Sequence, residues 1–200
     1  MQTLWKCPAR DTALARHTLA LAEIKAPPAT YDEIRLIEAR AASAYFSAWQ
    51  DYPLRWKGIG RKPIRPDWHR CGTRQGLIGD RNRYATHPVN ALLNYGYALL
   101  ESEMRIALVA AGLDPEVGFL HVNRPGRLSL VYDAMEPLRP VVDRMVLDFI
   151  PHTTFAPGDF KLNEKGVRKL NPQMARRFLQ RLILQRACEG PISLLVEGLG

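Results

Sequence analysis

The chain has 200 residues, 46% of them apolar, with a formal net charge of +8 and a pI near 9.7. That length and composition suit one domain with a real core and exclude a disordered tail. No apolar run approaches the ~18 residues of a membrane-spanning helix, and Met1-Gln-Thr-Leu-Trp-Lys-Cys-Pro lacks the apolar core of a signal peptide.

Residues near Thr12–Lys25 predict a first helix, ended by Pro27-Pro28. Residues 1–29 form a candidate appendage or linker ahead of a main unit over 30–200. Thr30-Tyr-Asp-Glu33 has the capping-box pattern. The helix it opens is expected to run to about Asp51, with Ile34, Ile37, Ala41, Tyr45 and Ala48 on one face and Glu38 at its border.

Residues 52–85 are rich in Gly, Pro and Arg and show no sustained period, which predicts a long basic loop. Arg55, Lys57, Arg61, Lys62, Arg65, Arg70, Arg74, Arg81 and Arg83 are nine cations, opposed there only by Asp67 and Asp80. Almost the whole excess charge therefore lies in this stretch. A field concentrated in that way points to a polyanion such as DNA or RNA, against the blander reading of a solubilising loop or membrane-surface patch.

Thr86-His-Pro88 opens the most strongly patterned helix, with Val89, Leu92, Leu93, Gly96, Leu100 and Ala107 as its core stripe and Gly112 past its end. Val117–Leu130 holds β-like apolar pieces around an Arg124-Pro-Gly126 turn. Another helix is expected over Pro137–Ile150, then a short hairpin within Phe155–Leu170 turning at Glu164-Lys-Gly166. A last helix runs from Asn171-Pro172 to about Cys188. The expected fold is mainly α, a helical lobe with a few short β pieces. Cys7, Cys71 and Cys188 have no CxxC spacing, which argues against a zinc site or disulfide framework and for a reducing cytosol.

Three segments place polar groups beside apolar ones: Glu38, then Gly118-Phe-Leu-His121, then Asp133-Ala-Met-Glu136. Two carboxylates and an imidazole in a basic protein suit a divalent metal aimed at phosphate. Each residue alone has a plainer reading. His121 fits a hydrogen-bonded core histidine. Asp133 and Glu136, at i,i+3, share a helix face but also suit helix-start charges ahead of Pro137 and Pro140. Glu38 fits a surface charge paired with Arg35 or Arg40, and Glu101 and Glu103 are acidic decoys, Glu103 falling between Leu100 and Ile106 near the apolar stripe.

The joint pattern is more specific than its parts. Ile37-Glu38-Ala-Arg-Ala-Ala-Ser-Ala-Tyr-Phe46 and Pro88-Val-Asn-Ala-Leu-Leu-Asn-Tyr-Gly-Tyr97 come first. Ala111-Gly-Leu-Asp-Pro-Glu-Val-Gly-Phe-Leu-His121 and Leu130-Val-Tyr-Asp-Ala-Met-Glu-Pro-Leu-Arg-Pro140 follow in order. In these motifs, and more weakly from Asp159 to Arg177, the chain resembles the Cas1 integrases of CRISPR spacer acquisition. The resemblance implies a helical catalytic lobe in which Glu38, His121 and Glu136 bind Mg²⁺ or Mn²⁺ and Asp133 sits beside the metal, tuning it or assisting proton transfer. It implies transesterification that joins the 3′-OH ends of short DNA fragments into a repeat array. Other candidate classes are a nonspecific metal-dependent endonuclease and a silent DNA-binding scaffold.

Arg55, Lys57, Arg61, Lys62, Arg65, Arg81 and Arg83 are expected to hold phosphates, with Arg124, Arg127, Arg139 and Arg144 flanking the acidic site. Asn90 and Tyr97 match motif positions without an assigned chemistry. The implied partners are fragment and repeat DNA and further copies of the chain as a dimer or tetramer, with or without a small Cas2 subunit; the implied location is the prokaryotic cytoplasm. Family members begin with a separate β-rich domain that helps form the homodimer. Thirty-seven residues precede Glu38, too few for that domain, so the expectation is either a compact form without it or a fragment.

Overall fold

The computed structural model describes residues 8–25, 30–72, 87–120, 125–162 and 168–189. The first two helices, α1 (Pro8–Lys25) and α2 (Tyr31–Ser47), pack along each other. Their buried residues, among those described, are Ala13 and Ala20 on α1 and Ile37 and Ala44 on α2, three of the four being alanine. Small residues let two helices approach closely, which explains why Ala44 replaces the expected Ile34, 40% exposed, on the packed face. Helix α1 starts earlier than expected because Pro8 suits a first turn. The Thr30–Glu33 capping box forms as read, while α2 gives way to a turn at Ala48, short of Asp51.

The basic stretch is more structured than a loop. Strand β1 (Arg55–Trp56) pairs in parallel with β2 (Thr154–Phe155), and Pro66–His69 forms a 3₁₀ turn. Trp56 stacks on Trp68 at 5.6 Å and 19°, and both rings meet Phe160. Leu54, Trp68 and Cys71 are buried. These apolar residues are too few and too irregular to produce a period, and their partners lie a hundred residues away. Residues 73–86 fall outside the described part.

Helix α3 (Pro88–Ala110) is the spine of the molecule, with Gly112 at φ 76° beyond its end. Val89, Leu92 and Leu93 join a core with Trp49, Val146, Phe155 and Phe178. Leu100, Met104 and Leu108 join a second with Val131, Met135, Leu138 and Val142. Met104 and Leu108 carry the stripe onward where Ala107, half-buried, was expected to. A Cβ on Gly96 would lie 2.6 Å from Val142 Cγ1, so glycine sets how closely the chain crosses there.

No strand occurs among the described residues of Val117–Leu130. The chain instead enters α4 (Ser129–Met135), a 3₁₀ turn (Glu136–Leu138) and α5 (Arg139–Phe149). Strands β3 (Phe160–Leu162) and β4 (Arg168–Leu170) make the expected antiparallel hairpin, whose turn at 164–166 lies outside the described residues. Asn171 caps α6 (Pro172–Glu189), its Oδ1 accepting from Met174 N–H at 2.7 Å. The fold is mainly α, and among the described residues no helix is long and apolar enough to cross a membrane.

His87 ties the basic segment to the spine. Its Nδ1 accepts the Val89 N–H at 3.2 Å, capping α3, and its Nε2–H donates to the Arg70 carbonyl at 2.9 Å. Only the neutral ring can do both. Burial lowers its pKa from the ordinary 6.5, opposed by the carbonyls of Arg70 and Asp67. Because the folded value is depressed, this stabilisation is complete above pH 6.5 and is lost as pH falls through the folded value. Burial of His17 acts in the same direction. Chemical denaturation between pH 8 and 5 is expected to show a loss of stability on acidification that is smaller in His87→Asn. Equal loss in both proteins would refute the cap.

Candidate active site

The acidic segment is built around two prolines. Pro137 and Pro140 interrupt regular helix after Met135, so Asp133 and Glu136 occupy different environments despite their i,i+3 spacing. Asp133 is 3% exposed, inside the α4 turn. Its Oδ2 accepts the N–H groups of Phe119 and Leu120 at 2.6 and 2.9 Å. Those two amides are therefore satisfied by a side chain rather than by a neighbouring strand, which is why no strand forms at Phe119 and Leu120. A Cβ on Gly118 would meet Asp133 Oδ2, the Ser129 carbonyl carbon and Ser129 Cβ, each at 2.7 Å. Only glycine lets the chain come this close to α4. The segment clamped in this way ends one residue before His121, which itself lies outside the described residues.

Glu136 is half-exposed. Arg139 Nε lies 3.0 Å from its Oε1, an ion pair one turn apart. The Arg139 guanidinium carbon in turn sits 5.2 Å from the centre of the Tyr97 ring, a favourable cation–π position. Glu38 is exposed on α2 and has no partner among the described residues. Arg40, one of its anticipated partners, instead pairs with Glu23 of α1 at 2.5 Å. Glu101 and Glu103 are half-buried on α3. Among the described residues, no three His, Cys, Asp or Glu side chains converge as a metal cluster. The donors at hand, exposed or half-exposed carboxylates, are hard oxygen ligands of the kind that Mg²⁺ and Mn²⁺ prefer.

The cations divide into paired and open ones. Arg65 pairs with Asp67 at 2.9 Å and Arg70 with Asp51 at 3.5 Å, while Arg55 donates to the Pro151 carbonyl. Lys57, Arg61 and Lys62 are exposed beside the Trp56–Trp68 stack, and Arg127 is half-buried. Arg74, Arg81, Arg83 and Arg124 lie outside the described residues. The sequence reading missed one buried carboxylate altogether, Asp143 at 5% exposure, which accepts the Tyr97 hydroxyl. Its only signal was an acid on the otherwise apolar face of Val142, Met145 and Val146.

Comparison with known proteins places these features in a family context. The sequence model of "CRISPR associated protein Cas1" matches residues 6–183. A CRISPR-associated endonuclease Cas1 of Rhodospirillum rubrum is 36% identical over 169 residues, covering 84% of this chain and 44% of that protein. Among solved structures, a casposase bound to its integration product is similar at 30% identity and a TM-score of 0.65, over 81% of this chain and 43% of that one. A partial Cas6-RT-Cas1–Cas2 complex shares the fold at 18% identity and a TM-score of 0.57, over 94% and 61%. The chain spans less than half the length of the curated relatives it matches.

The clamp can be tested apart from any chemistry. Gly118→Ala forces Asp133 or Ser129 to move, at a cost of about 1–3 kcal/mol. Chemical denaturation is expected to register that loss, and hydrogen exchange to quicken at the Phe119 and Leu120 amides. Unchanged protection there would show that the two amides are not held by Asp133.

Proposed function

The chain belongs to the CRISPR-associated Cas1 family, and from that premise we propose that it is a metal-dependent DNA integrase of CRISPR adaptation. The reaction is a direct transesterification. The 3′-OH of a short DNA fragment attacks a phosphodiester in a repeat, a new phosphodiester forms, and the 3′-oxygen of the target strand departs with a proton. No covalent protein intermediate and no ATP are required. The observation that carries the reading is the Asp133 clamp. Asp133, three residues before Glu136, holds the Phe119 and Leu120 amides just ahead of position 121.

Glu38, His121 and Glu136 are the residues proposed to hold the metal. When bound, Mg²⁺ or Mn²⁺ supplies charge neutralisation at the reacting phosphate. Asp133, with one oxygen committed to two amides, is assigned the task of orienting the segment that ends in His121. Lys57, Arg61 and Lys62 would grip phosphates without reading sequence, and Arg65, Arg81, Arg83, Arg124, Arg127 and Arg139 would extend that track. The casposase likeness, at 30% identity, supports DNA as the substrate.

Joining two fragment ends at a fixed spacing needs two active sites, so a homo-oligomer is part of the proposal. A small Cas2 subunit is the proposed bridging partner, supported by the Cas1–Cas2 complex that shares the fold.

Purified protein with a 3′-OH duplex, a repeat-bearing supercoiled plasmid and Mn²⁺ is expected to yield joined product. Glu136→Ala and His121→Ala are expected to abolish joining while leaving duplex binding largely intact. Cutting without joining would instead favour the endonuclease reading. Normal integration by both variants would remove the metal site.

Duplex affinity is also expected to fall steeply with salt, roughly several hundredfold between 50 and 200 mM for about five phosphate contacts. A flat profile would contradict the basic surface.

A further inference from the structure

The two carboxylates proposed to share a metal sit on elements that are poorly connected. Helix α2, carrying Glu38, lies along α1, and among the described residues those at and just past its C-terminal end join the main core. There Ala48 and Trp49 are buried and Tyr45 and Phe46 pack beside them. Glu38 is seven residues before Tyr45, a lever of roughly 10 Å at 1.5 Å rise per residue. A tilt of about 10° at the anchored end moves Glu38 by roughly 2 Å on that lever. Metal sites tolerate deviations of only about 0.2 Å. Apolar packing is non-directional and cannot by itself fix such an angle.

One buried group supplies direction. The Asp143 carboxylate on α5 accepts the Tyr97 hydroxyl from α3, and its charge acts on the nearby Tyr45 hydroxyl from α2. Burial, then the neighbouring Asp143 charge, raises the Tyr45 pKa well above its ordinary value, so its hydroxyl stays a donor. Three helices thus meet at a single carboxylate. From the same Tyr97, the ring carries the Arg139 guanidinium at 5.2 Å, and Arg139 Nε lies 3.0 Å from Glu136 Oε1, an ion pair without hydrogen-bond geometry. The close crossing at Gly96, where a Cβ would touch Val142, brings Tyr97 and Asp143 together.

We infer that Asp143 is a positioning residue, which through Tyr45 and Tyr97 fixes the separation of Glu38 and Glu136. The inference rests on the proposed metal site and names what aligns it. Asp143 does not touch the metal or the DNA. It acts through the two tyrosines, in the way outer residues around metal sites orient the ligands, where their loss weakens affinity by about 10–100-fold.

The test uses the full chain with Tyr45→Phe, Tyr97→Phe and Asp143→Asn. The Phe variants keep the rings and their packing, so they remain informative if Asp143→Asn fails to fold. Mn²⁺ affinity is read by electron paramagnetic resonance of the free ion, alongside thermal unfolding and metal-free duplex binding. Each Phe variant is expected to weaken Mn²⁺ binding about tenfold, with wild-type duplex binding. Its Mn²⁺ midpoint for joining should rise by the same factor, and saturating Mn²⁺ should restore the rate. Mn²⁺ affinities within twofold of wild type would overturn the inference, as would losses that merely follow the folded fraction. Equal Mn²⁺ uptake by wild type and Glu136→Ala would overturn the metal site itself, and the inference with it.

Discussion

The structure depends on one constraint: α3 must bury an apolar face along its whole length. Leu92, Leu93, Leu100, Met104 and Leu108 are each at most 1% exposed. Full burial of a side chain of this size contributes about 1.5–3 kcal/mol, so these five residues dominate the choice of what packs where. The N-terminal half of α3 collects β1, β2, α5 and α6 around it, and the C-terminal half collects α4 and the turn after it. Everything proposed for catalysis hangs from that spine or from the helices it seats.

On this apolar frame the buried polar residues are few, and each fixes a direction that packing leaves open. His87 joins the start of α3 to the basic segment through one neutral tautomer. Asp133 converts two backbone amides into a fixed approach to His121. Asp143 accepts the Tyr97 hydroxyl of α3 close to the Tyr45 hydroxyl of α2. A buried carboxylate without partners is costly, so each of these acids holds its donors tightly. The basic segment uses a different device. Its described cations are exposed, yet their segment carries a stack of tryptophans that is itself seated on Phe155 and Phe160. A charged surface of this kind meets a polyanion with less ordering left to do than a free loop.

Much of the architecture was legible because helices announce themselves locally. The Thr30–Glu33 box, Pro88 at the start of α3, Gly112 past its end and Asn171 before α6 are short-range signals, and each marks an observed boundary. What stayed hidden is long-range. The parallel pairing of Arg55–Trp56 with Thr154–Phe155 joins segments a hundred residues apart, and no period in either predicts it. The run at Val117–Leu120 looked like strand because it is apolar, yet Val117 and Phe119 are 60% and 73% exposed and their segment is organised by an aspartate downstream. Among the candidate ligands, spacing suggested that Asp133 and Glu136 act together. The prolines that end regular helix there separate them, turning one inward and leaving the other half-exposed. Asp143 went unread because a single acid among apolar residues has no motif.

The central claim is that Glu38, His121 and Glu136 close around one divalent ion while Asp133 stays bound to the backbone. A crystal structure of the protein soaked in Mn²⁺, with anomalous scattering recorded, tests this most directly. The expected result is one strong anomalous peak bounded by those three side chains, with Asp133 Oδ2 still on the Phe119 and Leu120 amides. No peak there, or a peak ligated by Asp133 with its amides released, would contradict the account.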